Sequence, residues 1–86
     1  MREEIKKSMD TRLATVEGHI RAIRSMISSG KPCEDILLQI SATESALKKV
    51  GNIILKNHLE HCVRSGVQEG NIAILDEFGK VLDKFL

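Results

Sequence analysis

The stretch CEDILLQISATESALKKVGNIILKNHLEHCVRS, residues 33–65, decides the fold. In it Ile36, Leu37, Ile40, Leu47, Val50, Ile54, Leu59 and Val63 recur at helical spacing. That is the pattern of an apolar stripe along one side of a helix. Gly51 is its one weak helix former, at a cost of about 1 kcal/mol relative to Ala. The spacing therefore predicts an unbroken helix of about 33 residues, about 50 Å long at about 1.5 Å per residue. Such a length in a short chain points to a bundle or a coiled-coil assembly.

The flanking segments read the same way. Ile5, Met9, Leu13, Val16, Ile20, Ile23 and Ile27 follow one another at spacings of 4, 4, 3, 4, 3 and 4. This predicts an amphipathic helix over residues 3–28, with no trace of the period-two alternation of a strand. It should stop at Ser28-Ser29-Gly30, where Gly30 can take the left-handed cap. Pro32 suits the first turn of the next helix, where its missing N–H is not needed. A third, short helix is expected after Gly70-Asn71, with Asn71 as N-cap and Leu75, Phe78, Leu82 and Phe85 along one face. No repeat, low-complexity tract or flexible linker interrupts the chain, so residues 1–86 are expected to form one domain. The expected fold is all-α: two long helices and a short C-terminal one. One copy cannot bury a stripe of about 50 Å by itself. A hairpin of the first two helices paired with a second copy, as an antiparallel four-helix-bundle dimer, resolves this.

Composition narrows the function classes. At 86 residues, 42% hydrophobic and 29% charged, the chain is too apolar for a disordered tail and too short for a two-domain enzyme. It has no Trp or Tyr and two Phe, which argues against base-stacking platforms for single-stranded nucleic acid. No apolar run approaches the roughly 20 residues of a membrane span. Met-Arg-Glu-Glu-Ile-Lys-Lys at the N-terminus has no apolar stretch behind its charges, unlike a signal peptide. The expectation is a cytosolic chain whose two cysteines stay reduced. Net charge is +1 overall, distributed as +2 over residues 1–30, zero over 31–62 and −1 over 63–86. A nucleic-acid role would need basic residues gathered on one face by folding or assembly.

Cys33, His58 and Cys62, with His61 beside them, are the residues that could carry chemistry. His58 and Cys62 are four apart, on one helix face a turn apart, as two ligands of one metal would be. Cys33 lies 25 residues before His58, about 37 Å away along a continuous helix. A twin helix packed antiparallel about a two-fold axis near Ser45, Ala46 and Leu47 brings Cys33 level with the partner copy's His–Cys turn. The small residues Ser41, Ala42, Ser45 and Ala46 would let two helices approach closely there. Two thiolates and an imidazole form a soft site that suits Cu(I), or Zn(II) with a fourth ligand, or Ni(II) with His61 or a backbone group added. The plainer alternatives are two buried cysteines acting as small hydrophobes and a disulfide between Cys33 and Cys62 of paired chains. His19 is expected in core or interface packing, and the Lys and Arg residues on a solvated face. No nucleophile and base stand with an orienting third group, so an enzyme is not expected.

Three stretches together resemble the CsoR/RcnR family of metal-sensing repressors, in order and at the family's spacing over nearly the whole chain. They are Arg12-Leu13-Ala14-Thr15-Val16-Glu17-Gly18-His19-Ile20, Cys33-Glu34-Asp35-Ile36-Leu37-Leu38-Gln39-Ile40-Ser41-Ala42 and Asn57-His58-Leu59-Glu60-His61-Cys62-Val63. The resemblance implies an all-α dimer pairing into a tetramer, with DNA bound by a basic surface rather than a helix-turn-helix. The copper-sensing branch carries Cys, His and Cys at the positions of Cys33, His58 and Cys62. The formaldehyde branch lacks the last Cys, and the persulfide branch lacks the His. The nickel and cobalt branch adds an N-terminal His where this chain has Met1. Arg12 and Lys49 match basic residues linked to DNA binding, and Arg21, Arg24 and Lys48 extend that surface by their charge. Glu77 matches an acid that supports the metal-bound His, given a one-residue deletion in the preceding loop. The family's Tyr before the first Cys is Pro32 here, a departure at a position tied to signal relay.

The resemblance thus implies a cytoplasmic Cu(I)-responsive repressor that binds double-stranded operator DNA without metal and releases it when Cu(I) fills an intersubunit Cys–His–Cys site. The alternatives within the family are a persulfide sensor and a Ni(II) sensor. The alternative of another class is a helical scaffold or metal-buffering protein with no DNA role.

Overall fold

The computed structural model describes the backbone of residues 1–70 and 73–86, and the side chains of that range apart from His61, Cys62, Val63 and Val67. All the regular elements among the described residues are helical: α1 (Glu3–Ser28), α2 (Cys33–Asn57), a π-helical segment (His58–Val63), α3 (Arg64–Gln68) and α4 (Ala73–Phe85). The N-cap expected at Asn71 lies outside the described residues. Because α2, the π segment and α3 follow one another without a loop, the described residues form three helical stretches, as the apolar spacing predicts. It divides into two compact units, Met1–Ile53 and Ile54–Leu86.

The first unit holds α1 and most of α2, joined through residues 29–32. Glu3 and Glu4 occupy the first turn of α1, where carboxylates complement the positive end of the helix dipole. The helix ends as its sequence predicts. Gly30 has φ 73°, its N–H donates to Ile27 O at 3.2 Å, and the Lys31 N–H donates to Met26 O at 3.0 Å. These two bonds satisfy carbonyls that a bare helix end would leave open. Pro32 then starts α2, its carbonyl accepting from the Asp35 and Ile36 N–H groups at 3.1 and 3.2 Å.

The apolar stripe of α1 divides in two. Met9 and Val16 are buried, with Ile5, Ile23 and Met26 half-buried, whereas Leu13, Ile20 and Ile27 stay 39, 49 and 60% exposed. The second group recurs every seventh residue, the repeat of a helix seam that meets another helix. On α2, Val50 and Thr43 are buried while Leu37 and Leu47 are exposed. Thr43 meets the cost of burying a hydroxyl by donating to Gln39 O at 2.7 Å.

The second unit contains two departures from the expected pattern. First, α-type bonding does not run unbroken over residues 33–65: it ends at Asn57, and His58–Val63 is π-helical. Periodicity reports which side of a helix is apolar, not whether a given carbonyl bonds the fourth or the fifth residue on. Second, Ile74 and not Leu75 heads the inward row of α4. Ile74, Phe78, Leu82 and Phe85 are half-buried, and Leu75 is exposed. Ile74 wins because it meets α3 at Gly66, where a Cβ would stand 2.9 Å from its Cδ1.

Candidate metal centre

Cys33 is the first residue of α2, exposed and with a free thiol. Its position follows from Pro32, which starts the helix, and from the turn at Gly30 that precedes it. His58 is the first residue of the π segment and is half-buried. Cys62 lies in the same segment; its side chain, like that of His61, is outside the described residues. Thus one short, wide helical segment carries two of the three expected ligands, and π-type turns inside helices are frequent at functional sites.

The His58 ring is held by α4. Its centroid lies 5.0 Å from that of Phe78, with 19° between the ring planes, a stacked arrangement within the usual aromatic range. Glu77 precedes Phe78 on α4 and is exposed. Immediately before His58, Asn57 is buried at 7% exposure, and its Oδ1 has no hydrogen-bond partner among the described residues. Sequence reading marks Phe78 only as part of an apolar row and gives Asn57 no role. The contact between Phe78 and His58 is tertiary, with no signal in spacing.

The candidate DNA-contacting residues all lie in the first unit and are exposed: Arg12, Arg21 and Arg24 on α1, Lys48 and Lys49 on α2. They do not form one row. Arg12 and Arg21 are nine residues apart, which places them about 180° apart around α1, while Arg21 and Arg24 lie within about 60° of each other. His19 is exposed too, so it is not packed in the core of one chain, and of the two expected placements only an interface is open to it. No helix among the described residues is long and apolar enough to cross a membrane.

Among the described residues no three His, Cys, Asp or Glu side chains gather as a metal site; the expected donors, two sulfurs and an imidazole nitrogen, would be a soft set if brought together. The Phe78 stack engages a face of the His58 ring and not its edge, where the in-plane lone pair of the unprotonated nitrogen lies. These residue types fit a thiophilic metal ion. The described residues define an all-helical protein that carries candidate ligands for such an ion.

Comparison with known proteins specifies the class. A family model described as metal-sensitive transcriptional repressor matches residues 5–84, and the chain belongs to that family, whose members are repressors and not enzymes. It is 38% identical over 66 residues, 77% of its length, to the copper-sensing transcriptional repressor CsoR of Bacillus subtilis. It is 48% identical over 65 residues, 76% of its length, to the copper-sensing transcriptional repressor RicR of Mycobacterium tuberculosis. The matches span 65 and 68% of those two relatives, so the chain corresponds to about two thirds of each. Among solved structures, it superposes on the copper-sensing repressor CsoR with Cu(I) from Geobacillus thermodenitrificans. That match has a TM-score of 0.94 and 35% identity, covering 99% of this chain and 90% of the other. It also superposes on the nickel-responsive transcriptional regulator InrS with a TM-score of 0.81 and 37% identity, covering 93 and 91%.

Proposed function

We propose that this chain is a cytoplasmic Cu(I)-responsive transcriptional repressor. It binds operator DNA without metal and releases it when Cys33 of one protomer and His58 and Cys62 of another hold a Cu(I) ion. The observation that carries the reading is the likeness over 99% of the chain to a copper-sensing repressor solved with Cu(I), joined to a Cys–His–Cys donor set. When bound, the ion supplies a strong preference for soft donors and so draws the three side chains together.

The residues do the rest. The exposed Cys33 thiol reaches a neighbouring protomer without disturbing its own hairpin. Glu77 supports the second ring nitrogen of His58 and so fixes its tautomer. The row Leu13, Ile20 and Ile27 joins hairpins into a dimer, and dimers pair into a tetramer. Arg12 and Lys49 contact operator phosphates, with Lys48 beside them and with Arg21 and Arg24, on the other side of α1, extending the surface only through a neighbouring protomer, so binding weakens steeply with salt. Free thiols at the site require a reducing compartment. By linkage, the ion weakens DNA binding by the same factor as DNA weakens ion binding.

The test is an anaerobic Cu(I) titration of the reduced protein against a competing chelator, followed by operator release. One tightly bound Cu(I) per chain, with Cys33→Ala retaining operator binding and losing release, is expected. Release that persists in Cys33→Ala overturns the ligand assignment. Likeness to a nickel-responsive regulator favours Ni(II) as the second reading, with His61 added to the ligands. Ni(II) that releases operator while Cu(I) does not would establish it.

A further inference from the structure

We propose that Phe78 is the positioning residue of His58, its ring setting the imidazole plane and carrying the ligand state of His58 into α4. The first half stands on the contact itself. The second rests on His58 being a metal ligand, as proposed above.

The two rings lie 5.0 Å apart and 19° from parallel. A half-buried histidine on a helix keeps a broad choice of χ2, because a torsion onto a planar ring has shallow wells. A parallel aromatic neighbour removes that choice without using either nitrogen. The imidazole is then presented edge-on, which is how a nitrogen lone pair meets a metal. The order to be imposed on binding is already in place, so less conformational freedom is lost.

The same stack couples the ring to the rest of its unit. Ligation to a cation draws electron density from an imidazole. An electron-poor ring is held more firmly against the negative face of Phe78. Phe78 is one helical turn from Ile74 on the inward row of α4, and Ile74 is the residue set against Gly66 of α3. A change in the His58 ring is therefore felt in α4 and, through Ile74, at the α3 contact. Glu77, on the neighbouring position, is exposed, so its support of the ring nitrogen adds no packed contact toward α3.

The experiment uses the reduced 86-residue chain with labelled histidine side chains, and the variants Phe78→Leu, Phe78→Met and Phe78→Tyr. Three quantities are read: NMR order of the His58 ring, Cu(I) affinity against a competing chelator, and the Cu(I)-induced change in amide exchange of α4. Phe78→Leu and Phe78→Met keep apolar bulk, and either serves if the other fails to fold. We expect the ring to be ordered in the native protein and in Phe78→Tyr, and mobile in the two aliphatic variants. Cu(I) affinity should fall about fivefold in the aliphatic variants, equivalent to about 1 kcal/mol, and return in Phe78→Tyr. The exchange response of α4 should follow the affinity. A His58 ring equally ordered without an aromatic at 78 overturns the positioning role. An affinity and α4 response unchanged in the aliphatic variants overturn the coupling. If His58→Ala binds Cu(I) as tightly as the native chain, the ligand assignment has failed, and the ring-order measurement still decides the positioning role.

Discussion

Gly66 and Ile74 meet so closely that a Cβ on the glycine would stand 2.9 Å from Cδ1 and 3.2 Å from Cγ2 of the isoleucine. The Cδ1 can swing away, but Cγ2 sits on a β-branched carbon with little χ1 freedom. Alanine at 66 should therefore lose about 1 kcal/mol. Overpacking of about 1–3 kcal/mol is offset in part by the better helix propensity of Ala. Ile74→Val removes Cδ1, and the pair Gly66→Ala with Ile74→Val should recover at least about 0.5 kcal/mol relative to additivity. Urea unfolding of the four proteins measures this. A Gly66→Ala protein more stable than the native one would refute the close contact.

The buried Oδ1 of Asn57 has no partner among the described residues. An unpaired buried oxygen costs about 1–3 kcal/mol. Asn57→Leu, similar in size and without the polar group, should raise stability by about 1 kcal/mol. A loss in urea unfolding would mean that the amide is satisfied in solution, and that it helps hold the start of the π segment.

Much of this architecture is legible in the residues. Ile5 to Ile27 and the Ser-Ser-Gly ending define α1 as it stands, down to the left-handed Gly30. The same apolar spacing runs on through residues 58–63, so the change from α to π bonding leaves no mark in it. In α4 both Ile74 and Leu75 are apolar, and only the hydrogen on Gly66 selects the first. The ligand-type residues declare themselves by chemistry and spacing. The residue stacked against His58 does not, because any apolar side chain would continue the row that Phe78 occupies.

The exposed row on α1 makes a contrast available on one helix. Ile20 is 49% exposed and Val16 is 5% exposed. Ile20→Glu should leave helical content intact and shift sedimentation toward smaller species, because a charge on a helix seam cannot be buried unpaired. Val16→Ala should instead lower stability by about 1–3 kcal/mol through lost packing. An Ile20→Glu protein of unchanged size would show that assembly uses another face.

Operator affinity should fall linearly with salt on a double-logarithmic plot. Arg12→Ala and Lys49→Ala should each reduce the magnitude of the slope by about 1 per lost phosphate contact, with little change in sequence preference. Arg21→Ala should have a smaller effect if the DNA follows the side of α1 that bears Arg12. Fluorescence anisotropy over a salt series gives all the slopes. An Arg12→Ala slope equal to that of the native protein would remove Arg12 from the interface.

The π segment also sets how this region can tolerate change in length. A turn closed by the fifth residue holds one residue more than a turn closed by the fourth. Deleting one position between His58 and Cys62 would let the helix pass straight from α2 into α3 as ordinary α-helix. The following helix would keep its course, yet the histidine and cysteine would stand three apart instead of four. A one-residue deletion here would therefore spare the scaffold and alter the ligand spacing, whereas one elsewhere along α2 would rotate an entire apolar face.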